Sequence, residues 1–334
     1  MFDFFKKSSA LDFDVIEVEL TTRCNAQCVY CPSIMFYQDW REVDMGPELF
    51  QKLSPLVFNS RLVFFGGWGE PLLNNRFFQM AEMAGKAHRP VAVSTNGLLI
   101  DDTTAYRIVS TGIEMVSFAL SGIGEDHEHL HKGLVQEDVL AAISVLNNQR
   151  NESQKPRIQV SYLLFRSALK GLSKLPELLK WRGIDKVIIR PLDYASGPGL
   201  ADEMVLPQSM EEFEEVRGIL EQVKTKGKEK GLDVDYHLYR PGDRQRHCTE
   251  MPEKRLFVSA FGGISPCLFT GLSMSDNSAI NDADWQPLVF GNMDRVSAEQ
   301  IWKSKPYRKF RESFRKGSPH PRCQTCPNLY TELR

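Results

Sequence analysis

Short apolar runs alternate with amphipathic stretches along the first two thirds of the chain. Six runs are rich in Val, Ile and Phe, and turn residues follow most of them, so they are predicted to be β-strands. They cover 15–20, 61–65, 90–94, 115–120, 157–164 and 186–190. Helical periodicity lies between them, at 47–56, 75–87, 101–111, 136–148 and 167–182. This alternation predicts an α/β fold with a parallel sheet, built as a partial (β/α)6 TIM-like barrel.

A second region with a different pattern begins near residue 201. It begins with a charged helical stretch at 208–230 and two β-rich runs at 234–239 and 255–260. A glycine turn at 261–264, a polar stretch expected to be a surface loop at 271–287 and a basic amphipathic helix at 297–316 follow. We therefore expect a small α+β domain after the barrel. The predicted boundaries are an N-terminal extension at 1–14, the barrel at 15–200, a helical connection at 201–232 and the second domain at 233–334.

Composition narrows the functional classes. The 334 residues are 42% hydrophobic and 25% charged, which is ordinary for a globular protein. A formal net charge of −2 gives no reason to expect a nucleic-acid or anionic-membrane partner. No apolar run approaches the roughly 18 residues of a membrane span, and the N-terminus lacks a signal-peptide core. Seven cysteines without an export signal predict a cytoplasmic protein whose thiols are metal ligands or catalytic groups.

Three of the cysteines, Cys24, Cys28 and Cys31, lie in one short segment directly after the first predicted strand. Zinc usually takes four ligands from C-x₂-C pairs, and a single three-cysteine loop fits that poorly. Three thiolates can instead hold three irons of a 4Fe–4S cube. The fourth iron would then be open to a substrate or cofactor, as in catalytic metal sites.

A glycine-rich turn, Gly-Gly-Trp-Gly-Glu-Pro at 66–71, follows the second predicted strand. The backbone of Gly66, Gly67 and Gly69 can approach a ligand closely, and Glu70 is an acceptor suited to an ammonium group. Alone, such a segment is more often a simple turn. Next to the cysteine loop it becomes a candidate cofactor site.

The other four cysteines are Cys248, Cys267, Cys323 and Cys326, and the last two form a C-x₂-C pair. Four thiolates from three segments can fully ligate either a 4Fe–4S cube or a zinc ion. The chemistry of the residues leaves both possibilities open.

Taken together, these motifs resemble the radical SAM enzymes. The family signature is C-x₃-C-x₂-C after strand one and a G-G-x-G-E-P-like motif after strand two, and both are present. The resemblance implies that the open iron binds the amino and carboxylate groups of S-adenosylmethionine (SAM), that Tyr30 lies near the adenine, and that Glu70 and the glycine backbone meet the methionine ammonium. The turn with Ser94 and Asn96 after strand three matches the family's T-N-G turn.

The segment after strand four departs from the family pattern. The family often has S-[IL]-D-G there, with an arginine some ten residues on, whereas this chain has Ala-Leu-Ser-Gly at 119–122, then His127, His129 and His131. The ribose and carboxylate contacts of SAM therefore cannot be transferred to this segment. Because no carboxylate or cysteine geometry supports a site there, we expect a solvated loop rather than a metal site.

The later part of the chain resembles the SPASM/twitch extension of radical SAM enzymes. The resemblance lies in Cys248, the Gly262-x₄-Cys267 spacing, the Phe-Gly-Asn-Met run at 290–293 and the helix before the C-x₂-C pair. It favours an auxiliary 4Fe–4S cluster over zinc at the four late cysteines. The sequence continues for eight residues after Cys326, which leads us to expect one auxiliary cluster rather than two.

The resemblance implies reductive cleavage of SAM to a 5′-deoxyadenosyl radical, which takes a hydrogen atom from the substrate. We expect oxidative maturation of a peptide, protein or cofactor, with an external electron donor such as ferredoxin or flavodoxin and with Asp193 as a candidate general base. The segments 66–71 and 122–129 look similar to maturases that accompany tungsten-cofactor oxidoreductases. The alternatives are a small-molecule dehydrogenase like that of aminocyclitol synthesis and, more remotely, a non-enzymatic metal-binding module.

Overall fold

The computed structural model describes residues 11, 13–150, 154–194, 199–242, 248–272, 287–324, 326–329 and 331–333. The strands are β1 (Val15–Val18), β2 (Gln27–Cys28), β3 (Leu62–Phe65), β4 (Val91–Thr95), β5 (Met115–Leu120), β6 (His131–Lys132), β7 (Arg157–Leu164), β8 (Lys186–Pro191), β9 (Val234–Tyr239), β10 (Arg255–Val258), β11 (Gly263–Ser265), β12 (Gly291–Asn292) and β13 (Thr331–Leu333).

One large sheet organises the molecule. Its strand order is β12-β11-β10-β1-β3-β4-β5-β7-β8-β9-β13, and all neighbours from β10 to β9 are parallel. The six strands predicted for the barrel occupy the centre of this order, so the predicted α/β fold with a mostly parallel, barrel-like sheet is confirmed. Two further strands, β10 and β9, extend the parallel part at its two ends. The remaining strands, β2 and β6, form a separate antiparallel ribbon.

The α-helices are α1 (Pro32–Met35), α2 (Pro47–Gln51), α3 (Ser54–Val57), α4 (Phe77–Lys86), α5 (Asp102–Thr111), α6 (Glu125–Leu130), α7 (Gln136–Gln149), α8 (Leu175–Leu179), α9 (Leu200–Glu203), α10 (Met210–Glu229), α11 (Ala298–Lys303), α12 (Lys305–Arg315) and α13 (Pro321–Gln324), and short 3₁₀ helices cover Pro71–Leu73, Leu169–Lys174 and Pro327–Leu329. None of the described helices is long and apolar enough to span a membrane.

Three of the predicted helices are divided in the structure. The stretch 47–56 forms α2 and α3, and 167–182 forms the 3₁₀ helix Leu169–Lys174 followed by α8. The stretch 297–316 breaks at Ser304, whose backbone is extended and whose side chain accepts a hydrogen bond from Tyr307 N. Pro306 lies in the first turn of α12, where its missing N–H costs nothing because that group would have no partner within the helix. In an uninterrupted helix over 297–316, the same proline would remove one hydrogen bond.

The core lies between the sheet and its helices. All four residues of β1 are buried, as expected for a parallel strand covered on both faces. Helix α4 buries Phe77, Met80, Ala81 and Ala84, the i, i+3, i+4, i+7 stripe that faces the sheet. This packing holds the carboxyl ends of the parallel strands at one edge, where the loops that carry the sequence motifs begin.

The second region joins the same sheet. Strand β10 pairs with β1, and the hairpin partner β11 and then β12 continue antiparallel. Strand β9 pairs with β8, and β13 closes that side. The domain boundaries therefore stay a prediction. The extension 1–14 and the polar stretch 271–287 lie mostly outside the described residues, since 1–10, 12 and 273–286 are not described.

Candidate functional site

The candidate residues gather at the carboxyl edge of the parallel strands. The cysteine loop follows β1, the glycine turn follows β3, the Asn96 turn follows β4, and the segment with Asp193 follows β8. Chemistry is expected at this edge of parallel sheets. The structure thus brings together motifs that are separated by up to about 170 residues in the sequence.

The three cysteines of the first loop are unpaired and half-buried. Ala26 N donates to Cys24 Sγ at 3.5 Å, and Asn96 Nδ2 lies 3.8 Å from the same sulfur. Cys31 Sγ lies 3.1 Å from Ser33 Oγ, and Cys28 Sγ lies 3.3 Å from His131 Nδ1. Each thiol therefore has hydrogen-bond partners that could orient a thiolate.

Burial raises the pKa of all three thiols, that of Cys24 to about 11, and the neighbouring sulfurs raise the pKa of Cys24 and Cys28 further. The three sulfurs therefore lie within electrostatic range of one another. Such a donor set is ionised only when a cation neutralises it, and this is what iron of a cluster does. The loop fits a cluster held by three thiolates.

The glycine turn packs directly on the cysteine loop. A Cβ at Gly69 would lie 2.2 Å from the carbonyl oxygen of Thr21 and 2.7 Å from that of Arg23, so only glycine fits. Glu70 N donates to Arg23 O at 2.8 Å. The backbone after β3 is thereby fixed against the loop that would hold the cluster.

Glu70 itself ties the glycine turn to the turn after β4. Its buried carboxylate accepts hydrogen bonds from Leu72 N (3.1 Å), Thr95 Oγ1 (2.9 Å) and Asn96 N (2.7 Å). Burial raises its pKa to about 7 although these donors lower it. Two oxygens have about four acceptor positions, so one more donor could still bind, and the contact with the ammonium of SAM stays a prediction.

A second buried carboxylate, Glu19, was not anticipated from the sequence. It follows β1 and accepts hydrogen bonds from Trp68 N (3.0 Å) and Ala260 N (3.1 Å). Burial raises its pKa to about 7. Glu19 therefore connects the glycine turn with the segment after β10. An acidic residue at the end of an apolar strand was the only signal for it in the sequence.

The expectation of a solvated histidine loop is wrong for two of the three histidines. His127 and His131 are buried and stacked, with ring centroids 4.6 Å apart, whereas His129 is exposed. The loop folds into α6 and then β6, and β6 pairs with β2 of the cysteine loop, which carries His131 inward. Burial, with His127 nearby, lowers the pKa of His131 to about 3, so its ring is neutral at pH 7.

Tyr30, Ser94 and Asn96 all lie at this edge. Tyr30 and Ser94, with Gly66 and Gly67, line a cavity of about 260 Å³ inside the barrel. The Tyr30 ring packs against Phe165, with centroids 5.4 Å apart. Asn96 donates to Asn25 Oδ1 at 2.8 Å. Their roles as SAM contacts stay predictions.

A network of charged side chains, buried except for the half-buried Arg190, forms another wall of the cavity. Arg190 contacts Asp193 (3.1 Å) and Glu250 (2.7 Å), and Arg255 contacts Glu250 (2.8 Å) and Glu17 (2.7 Å). The side chain of Asp193 is 6% exposed, although it lies in the loop after β8. Burial raises its pKa to about 6, although Arg190 lowers it.

Three aromatic rings, those of Trp68, Tyr194 and Phe269, meet at the same cavity, with centroids 5.9 to 6.4 Å apart. They come from three separate segments of the chain. Trp68 Nε1 and the Tyr194 hydroxyl are buried without a hydrogen-bond partner in the described part of the chain. Both are donors that a bound molecule could satisfy.

The four late cysteines also converge. Cys248 and Cys323 are buried, and Cys267 and Cys326 are half-buried. Burial raises the pKa of each, that of Cys323 and Cys326 to about 12, and each of these two also has its pKa raised by the nearby Cys267. Cys267 follows β11, and Cys326 N donates to Cys323 O at 3.2 Å. Sequence positions spread over 79 residues therefore form one sulfur-rich site.

Within the described residues, no group of three His, Cys, Asp or Glu side chains is arranged to hold a single metal ion. A four-iron cube spaces its ligands farther apart than a single ion does. All four sulfurs are available as thiolate donors, so this site fits a cluster by its donor chemistry.

Comparison with known families agrees with this geometry. Residues 18–153 match the radical SAM superfamily, and residues 248–327 match the iron–sulfur cluster-binding domain called SPASM. The chain belongs to the radical SAM superfamily. The C-terminal position of the SPASM domain is the one predicted from the late cysteines. For this radical SAM protein the family establishes 4Fe–4S clusters and SAM as cofactors, as the motifs predicted.

Several curated proteins are similar to this radical SAM protein over most of its length. The tungsten-containing aldehyde ferredoxin oxidoreductase cofactor-modifying protein of Pyrococcus furiosus is 25% identical, over 92% of this chain and 86% of that protein. The Fe-coproporphyrin III synthase of Methanosarcina barkeri is 26% identical, over 86% and 73%. The PqqA peptide cyclase of Granulibacter bethesdensis is 23% identical, over 92% and 78%.

Solved structures show the same fold. Native anSMEcpe with bound AdoMet superposes with a TM-score of 0.65 at 17% identity, covering 95% of this chain and 88% of that one. Streptococcus suis SuiB superposes with a TM-score of 0.67 at 13% identity, covering 96% and 72%. The fold is therefore shared with these structures at low sequence identity.

Proposed function

We propose that this radical SAM protein is an oxidoreductase that matures a peptide, protein or cofactor by removing a hydrogen atom from it. The observation that carries the proposal is the shared cavity. Tyr30, between two cysteines of the first loop, and Phe269, two residues after Cys267, line the same space. A substrate there lies between the two proposed cluster sites.

Cys24, Cys28 and Cys31 are proposed to hold the cluster with the open iron, and the four late cysteines one auxiliary 4Fe–4S cluster. When bound, the first cluster and SAM supply the 5′-deoxyadenosyl radical that takes a hydrogen atom. A site with four protein thiolates leaves no iron open, which suits electron transfer better than substrate binding. The electron donor, such as ferredoxin or flavodoxin, is part of the proposal.

The residues of the cavity have assignable tasks. Trp68, Tyr194 and Phe269 exclude water from the reacting carbon. Trp68 Nε1 and the Tyr194 hydroxyl, which have no partner among the described residues, can donate to acceptor atoms of the substrate. Asp193 faces the cavity with a pKa of about 6, so it is mostly ionised at neutral pH. It is proposed to accept the proton that an oxidised substrate releases, while Arg190 holds its carboxylate in place.

The proposed substrate class rests on the relatives that are similar over most of this chain. A cofactor-modifying protein and a peptide cyclase are each similar over 92% of this chain, which supports maturation chemistry. The small-molecule alternative has narrower support, because the 2-deoxy-scyllo-inosamine dehydrogenase of Niallia circulans, at 32% identity, is similar over 30% of this chain.

The test is the formation of 5′-deoxyadenosine by anaerobically reconstituted protein with SAM and dithionite, measured by liquid chromatography and mass spectrometry. Wild type should form it, Cys24→Ser should not, and the matched variant Cys267→Ser should keep this cleavage while losing substrate turnover. A reconstituted wild type that binds iron at the first loop yet forms no 5′-deoxyadenosine would overturn the proposal.

A further inference from the structure

His131 is held opposite Cys28 by backbone pairing. In the β2–β6 ribbon the partner of Cys28 is His131, and the next hydrogen bond, from Val29 N to Leu130 O, is 3.0 Å long. The imidazole Nδ1 then lies 3.3 Å from Cys28 Sγ. The backbone register thus places the two side chains opposite each other.

The ring of His131 is also fixed in orientation. It stacks on the ring of His127 at an interplanar angle of 16°, and His127 Nδ1 donates to the carbonyl oxygen of Ser121 at 2.8 Å. The Ser121 hydroxyl makes a close contact with His131 Nε2. The Tyr30 hydroxyl lies 3.3 Å from Nε2 and 3.4 Å from Nδ1.

The chemistry of the partners selects one tautomer. A neutral imidazole carries one N–H, and an iron-bound thiolate can only accept. Nδ1 facing Cys28 must therefore carry the hydrogen, and Nε2 must accept, which the Ser121 hydroxyl can satisfy by donating. The Ser121 hydroxyl thus donates to His131 Nε2, and His131 Nδ1–H donates to the sulfur of Cys28.

We propose that His131 is a positioning residue that donates an Nδ1–H hydrogen bond to the cluster sulfur of Cys28, with its tautomer set by Ser121, and that this bond raises the reduction potential of the SAM-binding cluster. The inference rests on the proposed function, because it takes Cys28 as a cluster ligand. Reduction adds one electron to the cluster and no bond is formed or broken. The extra negative charge strengthens a hydrogen bond to sulfur, so the bond favours the reduced state.

The experiment is an anaerobic dithionite titration of the reconstituted full chain, followed by EPR with and without SAM. The signal that changes with SAM belongs to the cluster with the open iron. His131→Phe keeps a stacked ring but removes the donor, and we expect the equilibrium constant for reduction to fall about tenfold, or about 59 mV for a one-electron couple. Ser121→Ala should shift it in the same direction by less.

Two variants control the interpretation. His131→Asn keeps an N–H donor near the position of Nδ1 and should restore most of the potential. His129→Phe makes the same change on an exposed side chain two residues away and should leave the potential unchanged. Iron content should be equal in all variants.

Equal potentials for wild type, His131→Phe and Ser121→Ala would overturn the inference while leaving the proposed function intact. If His131→Phe does not assemble a cluster, Ser121→Ala and His131→Asn still decide, because the first must lower the potential and the second must nearly preserve it. A wild type with no SAM-responsive signal would instead contradict the proposed function.

Discussion

The carboxylate of Glu70 should contribute more to stability than an exposed acid, because it joins two loops of the site. It accepts three hydrogen bonds, two of them from backbone N–H groups of Leu72 and Asn96. Glu70→Ala leaves these two buried donors and the Thr95 hydroxyl without that acceptor. At about 1–3 kcal/mol for each unsatisfied donor, the free energy of unfolding should fall by about 4 kcal/mol.

Glu70→Gln keeps one acceptor oxygen and the side-chain shape, so its cost should be about 1–2 kcal/mol. Urea unfolding of the apoprotein, followed by circular dichroism, measures both variants. The midpoint should fall without a change in the slope m, since the surface exposed on unfolding stays the same. Glu82→Ala, an exposed position on α4, is the matched control and should change stability by less than about 0.5 kcal/mol.

A loss below about 1 kcal/mol for Glu70→Ala would refute this reasoning. It would mean that the two N–H groups find water or other acceptors, and that the turns after β3 and β4 are held by packing alone. Glu70 would then be free to act mainly on a ligand.

Three further predictions concern other buried groups of the site. Burial raises the pKa of Glu19 to about 7, so its contribution to apoprotein stability is complete below about pH 4.5 and is lost as pH rises through 7. In urea unfolding of wild type, this loss should lower the free energy of unfolding by roughly 3 kcal/mol, and Glu19→Gln should remove that pH dependence. Arg255→Leu leaves Glu17 and Glu250 partly unpaired and should cost about 3–5 kcal/mol by the same assay, whereas a neutral result would contradict the buried network. Gly69→Ala must displace the cysteine loop, so reconstituted iron per chain should fall by about half, and unchanged iron would contradict the close approach.

Much of the fold could be predicted from local patterns. The six predicted strands exist within one or two residues of their expected ends, because parallel strands buried on both faces are nearly continuous apolar runs. Helix breaks were missed where a single residue decides them. Ser304 caps a new helix instead of continuing the old one, and its side-chain bond to Tyr307 N is set by local geometry that periodicity does not report.

Some residues of the two sites could be predicted from the sequence and others could not. The cysteine and glycine motifs could be found because their spacing carries the chemistry. Glu19, Arg190 and Glu250 could not, since their partners lie on strands and loops far away in sequence and each looks like an ordinary charged residue. The sequence predicts that His131 lies in solvent because nothing near it indicates a metal site, and only the pairing of β6 with β2 places it against the cysteine loop.

This chain is expected to hold two cluster sites, one with three cysteines and one with four. Iron and sulfide analysis after anaerobic reconstitution counts the two clusters. We expect about eight irons per chain for wild type. We expect about four for a variant with Cys24, Cys28 and Cys31 changed to serine, and about four for one with the late cysteines changed. About four irons with one zinc in wild type would contradict the auxiliary cluster, and no iron at all would contradict the whole account.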